Sequence, residues 1–181
     1  MRGLYRGPVR YTSGMATWHN EPRNLPARYY RYIGEIAARW NMVEYHLQEI
    51  IWYVLDLDLK RGRLLTYRAP AREKINLFRA LGKHWITNQL TVRRFEKIAA
   101  EVQRLNTLRN DYVHGVFGHE PGKPRELKLY YIKTTENKIL PRAERKTVDD
   151  IKKVAADIKA LQIELEQIAA YLNPRIKHFL T

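Results

Sequence analysis

The chain has 181 residues, with 33 lysines and arginines against 19 acids and a formal charge of +14. That length suits one folded domain, and 45% hydrophobic with 29% charged residues excludes a fibrous or low-complexity chain. Cysteine is absent, which excludes disulfides, thiolate metal sites and cysteine nucleophiles. The longest apolar run, Ile50 to Leu55, falls far short of the roughly 20 residues of a membrane-spanning helix. A soluble, cytoplasmic protein with a polyanionic partner and no membrane partner is the expectation.

Residues 1–24 read as a flexible basic arm: Arg2, Arg6 and Arg10 stand among Gly3, Gly7, Pro8 and Gly14, with no acid before Glu21. The glycines and Pro8 argue against an amphipathic targeting helix. One domain is expected over 25–181. From Pro26 to Asp56 the residues Tyr29, Ile33, Ile36, Trp40, Val43, Leu47, Ile50, Ile51 and Val54 recur three and four apart, the pattern of a long amphipathic helix. Asn24 is placed to cap it. A short helix or turn is expected over 59–67. A further helix starts near Pro70 and runs through Ile75, Phe78, Leu81 and Trp85, and another starts from a Thr91 cap. Gly115 then ends that last helix, in an expected left-handed conformation.

Beyond Gly115 the stretch from Glu126 to Lys133 alternates, and Thr134 to Asn137 has turn chemistry. Lys138 to Leu140 return as a short strand before Pro141, giving a small β-hairpin at about 126–140. Thr147 with Asp150 forms a capping box for a final helix at about 148–173. There Ile151, Val154, Ile158, Leu161, Leu165, Ile168 and Leu172 make a heptad seam, either a bundle core face or a coiled-coil surface. The fold class is all-α, a helical bundle with a hairpin before its last helix.

The stretch Leu108, Arg109, Asn110, Asp111, Tyr112, Val113, His114, Gly115 joins an anion binder to a titratable imidazole. On a helical wheel Arg109 falls inside the apolar stripe of Phe95, Val102 and Val113, where an unpaired guanidinium is costly to bury. Asn106, Asn110 and His114 stack four apart, so Asn110 is placed to orient the imidazole. Glu44, on the inward side of the first helix, is the simplest partner for this cluster. A structural ion pair and a helix-end histidine explain the same residues.

With Trp40, Val43, Glu44 and Leu47 on the long helix ahead of it, the Arg109-x-x-x-x-His114 spacing, with asparagine after the arginine, resembles the HEPN superfamily. The resemblance covers about Pro26 to His114 and the last helix. It implies an antiparallel helical bundle that dimerises around a metal-independent endoribonuclease site, with no cofactor. Arg109 and His114 are then the catalytic pair, Asn110 assists, Glu44 lines the site, and Asn106 and Tyr112 support it. A toxin or antiviral effector, held by an antitoxin or regulatory protein, is the implied role. Some HEPN toxins carry a modifiable tyrosine two residues after the histidine; here that position is Val116.

Arg109 and His114 are about 140° and about 7.5 Å apart on an ideal helix, so either two chains bring the pair together or one helix end does. RNA supplies its own nucleophile, the 2′-hydroxyl, which His114 is suited to deprotonate while Arg109 holds phosphate oxygens. Between Lys60 and Arg104 stand 12 basic residues and 3 acids. Arg61, Arg63, Arg68, Arg72, Arg93 and Arg94 are candidate phosphate contacts, with Tyr67 and Trp85 as stacking platforms and Lys128, Tyr130 and Lys133 extending the track. The alternative is a non-catalytic, dimeric HEPN-like module that binds nucleic acid or a partner protein. No metal-binding, phosphate-loop or Rossmann motif is present.

Overall fold

A computed structural model of the protein describes residues 25–84, 89–120, 123–135 and 138–172. The basic arm, Asn24 and Trp85 lie outside the described residues, as does the Lys133 side chain. The elements in chain order are α1 (Ala27–Val54), α2 (Leu59–Thr66), α3 (Ala71–His84), α4 (Gln89–His114), β1 (Val116–Glu120), β2 (Lys123–Thr135), β3 (Lys138–Arg145) and α5 (Val148–Leu172). The chain is mainly helical, with one three-stranded antiparallel sheet between α4 and α5.

The apolar stripes of the helices meet in one core. Ile36, Trp40, Val43, Leu47, Ile50 and Ile51 of α1 are buried together with Ile75 and Phe78 of α3, Val102 and Leu105 of α4, and Ile151, Ile158 and Leu165 of α5. The heptad seam of α5 is thus spent inside the bundle. Arg104 and Arg94 of α4 pair with Asp157 and Glu164 of α5, which fixes those helices as antiparallel. The Tyr29 hydroxyl reaches the Lys146 carbonyl and Arg39 donates to Gln162, so α1 and α5 run parallel.

A polar seam ties the smaller helices to α1. Trp40, Glu44, Gln48 and Trp52 are spaced by four and form one ridge. The Trp40 indole donates to Glu44 Oε1 at 2.8 Å, Gln48 donates to the Glu44 carbonyl at 3.0 Å, and the Trp52 indole donates to Thr66 of α2 at 3.1 Å. The Thr66 hydroxyl, with one proton, faces two acceptors, Gln48 Oε1 at 2.9 Å and the Gly62 carbonyl at 3.0 Å. Lys74 of α3 completes the seam with a 2.9 Å ion pair to Glu44 Oε2.

Several boundaries differ from the sequence reading. Pro26 is the N-cap of α1. α4 begins at Gln89, two residues before the expected Thr91 cap. α1 ends in a Schellman arrangement in which Asp56 takes the left-handed conformation (φ 52°), with Leu57 N–H donating to the Trp52 carbonyl and Asp56 N–H to that of Tyr53. Gly115 is not left-handed. It is needed for space, because a Cβ there would meet the Asp111 carbonyl oxygen and Leu129 Cδ1. The expected hairpin is a three-stranded sheet in the order β1-β2-β3, in which β1 pairs Val116 with Tyr130 and β3 runs through Pro141 to Arg145. Proline is accommodated because β3 is an edge strand. The Thr147 and Asp150 capping box forms as the spacing predicts, each residue satisfying the other's backbone N–H.

Candidate functional site

Helix α4 keeps its hydrogen bonding to the end: Gly115 N–H still donates to the Asp111 carbonyl at 3.0 Å. β1 then leaves at once, and Leu129 of β2, fully buried, seals the core beneath the turn. Phe117 packs edge-on against Tyr29, with ring centroids 6.1 Å apart, so the C-terminal end of α4 sits beside the first turn of α1.

At this end Arg109 Nη1 donates to Asn110 Oδ1 at 2.8 Å and lies 3.4 Å from His114 Nε2. One chain therefore brings the pair together without a second helix, because the long arginine side chain reaches along the axis to the exposed imidazole. A guanidinium only donates hydrogen bonds, so any hydrogen bond across this 3.4 Å gap has the imidazole nitrogen as its acceptor. Arg109 is half-buried, and its Nε is a buried donor without a partner among the described residues. Leaving such a donor unsatisfied costs about 1–3 kcal/mol, so stability alone does not account for the arrangement. Asn110 and His114 are exposed.

Two expectations about this cluster are corrected. Asn110 holds the arginine and makes no hydrogen bond to the imidazole among the described residues. Glu44 does not partner Arg109; its carboxylate is taken by Trp40 and Lys74. The parallel course of the sequence along α1 explains why, since Glu44 is fifteen residues beyond Tyr29, about 22 Å up the helix axis. Asn106 is buried one turn before Asn110. Tyr112 is buried too, and burial, followed by the nearby charges of Asp150, Glu144 and Asp111, raises its phenol above the ordinary tyrosine range. Beside it, Tyr131 donates to Glu144 at 2.6 Å, and that hydrogen bond leads in pushing its pKa up to about 12. Both phenols therefore stay protonated at neutral pH.

The arginines of α2 and the start of α4 that are candidate phosphate contacts lie away from the motif. Arg93 stands sixteen residues before Arg109 on the same helix, about 24 Å along its axis. Arg61 and Arg63 belong to α2, which rests on Trp52 at the opposite end of α1 from Tyr29. Arg61 faces Asp58 and Arg94 is paired with Glu164. Arg63, Arg68, Arg72 and Arg93 are exposed, as is Tyr67. Lys128 and Tyr130 are half-buried and do lie by the motif, across from Gly118 and Val116 of β1. Nearer the motif, sequence reasoning missed Arg28, Arg145 and Lys146, which line an open cleft of about 320 Å³ with Tyr29 and Thr147. Only the pairing of β3 and α5 with the start of α1 gathers them, so no local spacing signals the cluster.

No protein-family model matches the chain, and neither does any curated protein or any solved structure.

Proposed function

We propose that the chain is a metal-independent endoribonuclease of the HEPN type that cuts RNA through its own 2′-hydroxyl. The observation that carries this reading is the approach of the Arg109 guanidinium to His114 Nε2 at the exposed end of α4. A phosphodiester entering there draws the guanidinium away from Nε2 to hold two of its oxygens, which frees the ring nitrogen's lone pair for the 2′-hydroxyl. His114 Nε2 takes the 2′-hydroxyl proton, the 2′-oxygen bonds to phosphorus, and the bond to the 5′-oxygen breaks. Arg109 stabilises the charge that develops on the phosphoryl oxygens. The products are a 2′,3′-cyclic phosphate and a 5′-hydroxyl.

The leaving 5′-oxygen needs a proton. A twofold dimer across this end of the bundle supplies one from the second copy's imidazolium, and isologous dimers are the commonest assembly. Light scattering across working concentrations tests the dimer, and a strictly monomeric species that still cleaves RNA would rule out this proton source. A toxin or antiviral role follows from the resemblance alone.

The decisive comparison is wild type against His114→Ala on end-labelled RNA, with and without EDTA. Wild type is expected to cut in both conditions, to leave cyclic-phosphate ends, and to spare RNA carrying 2′-O-methyl groups at the cut site. Absence of metal-independent cleavage by wild type would instead favour the non-catalytic module, with Arg109 bracing a helix end through Asn110, and equal cleavage by the variant would leave His114 as a helix-end residue outside the chemistry.

A further inference from the structure

Helix α2 is attached to the molecule by its two smallest contact points. Only Gly62, against Trp52, and Thr66, in the polar seam, are buried. Everything else points outward: Leu64 is 77% exposed, Leu59 61%, and Tyr67, directly after the helix, 80%. Lys60, Arg61, Arg63 and Arg68 are exposed along the same segment, and Tyr45 and Tyr53 of α1 are exposed as well. Among the acids nearby, Asp58 pairs with Arg61 and Glu49 meets His46, while Asp56 is exposed at the end of α1.

Leu64 and Tyr67 stand on the outward side of a basic ridge, opposite Gly62 and Thr66, with Leu59 and Leu65 exposed on its flanks, and this mixture does not suit every polyanion. RNA rewards the charge and the tyrosines but gains nothing from exposed leucines. A second copy of the ridge would bring like charge against like charge. An anionic bilayer surface matches all of it: leucines enter the acyl boundary, tyrosines sit among headgroups, and lysine and arginine stems lie flat with their charges outward.

We propose that α2 is a shallow docking ridge for an anionic lipid surface. This departs from the expectation of no membrane partner and is independent of the nuclease reading.

The absence of cysteine makes the test direct. Leu64→Cys carries an environment-sensitive fluorophore on the full chain, with Lys159→Cys on the exposed face of α5 as control. Vesicles of phosphatidylcholine and phosphatidylglycerol in a two-to-one ratio are expected to blue-shift the probe at 64 and leave that at 159 unchanged. Pure phosphatidylcholine should shift neither. In co-sedimentation at physiological salt, Leu64→Ser/Leu65→Ser should bind the anionic vesicles about tenfold more weakly than wild type while keeping its affinity for RNA. Equal shifts at both positions, or a double variant that sediments like wild type, would reduce the binding to the net charge of the chain and overturn the proposal. A shift at 64 produced by RNA and not by vesicles would overturn it in favour of nucleic acid.

Discussion

His114 and Arg109 separate cleanly in what their removal should do. His114→Ala takes away the proton acceptor at an exposed position, so cleavage should fall by about 10² to 10⁴ while RNA affinity and melting temperature stay near wild type. Arg109→Ala should lower cleavage at least as far. It leaves Glu44 untouched, because that carboxylate is held by Trp40 and Lys74, so the arginine variant should remain folded. Asn110→Ala frees Nη1 of Arg109 and should fall between wild type and the two. Glu44 itself moves from the site to the scaffold. Lys74 has only 8% of its side chain exposed and Glu44 24%, so Glu44→Ala leaves a buried ammonium without its partner. Unfolding by urea should show a loss of about 3 kcal/mol, below the upper range for fully buried pairs because Glu44 keeps some contact with water. Cleavage per folded molecule should be unchanged. A Glu44→Ala protein of wild-type stability and no activity would return Glu44 to the catalytic site.

At the scale of elements, the two long helices illustrate how ends are decided. α5 begins at a capping box whose mutual hydrogen bonds are local, and the Thr147 backbone and side-chain hydrogen bonds hold the Asp150 carboxyl below its ordinary range. A depressed carboxylate pKa contributes stability above the ordinary value and loses it as pH falls through the folded one, so this cap weakens only in acid, below about pH 4. α1 ends instead on Asp56 at φ 52°, a conformation that costs an L-residue and suits glycine. Asp56→Gly should therefore raise stability by about 0.5–1 kcal/mol in thermal or urea unfolding, and a loss of stability would mean that the aspartate side chain does something at that turn beyond occupying it. Gly62 is the reverse case. A Cβ there would lie 2.5 Å from Trp52 Cγ, so the close approach of α2 to α1 depends on glycine.

Across the whole molecule, the distance from the motif to the exposed arginines of α2 and α4 sets what the proposed RNA reading predicts. With Arg93 about 24 Å from Arg109 along α4, a strand that touches both has to run several nucleotides along the bundle, and short substrates reach only one. Affinity for long RNA should fall steeply between low and physiological salt, as counterion release requires. Cleavage of a dinucleotide should be much less sensitive to Arg93→Ala or Arg72→Ala than binding of a long strand. Salt-independent affinity for long RNA would show that the exposed arginines carry none of the binding.

Features that depend on neighbours a turn or a strand apart are legible in the amino-acid order alone. The helical periodicity of Tyr29 to Val54 and of Ile151 to Leu172 placed α1 and α5, and the capping box placed the start of α5, because side chains three and four residues apart share a face whatever surrounds them. It also placed Arg109, Asn110 and His114 on one helix end. Tertiary structure decided everything that depends on which elements meet. Glu44 has an inward azimuth, and azimuth carries no information about height along the bundle, so only the packing of α3 assigned it to Lys74. β1 escaped notice because a five-residue segment containing Gly118 becomes a strand only when β2 lies beside it. At Gly115 the spacing suggests backbone freedom, whereas the packed structure needs the missing Cβ, which would strike the Asp111 carbonyl of its own helix and, on another element, Leu129 Cδ1. The convergence of Arg109 on His114 was open for a similar reason: wheel angles locate Cβ atoms, while the reach of a guanidinium is settled by the open space at the end of the bundle.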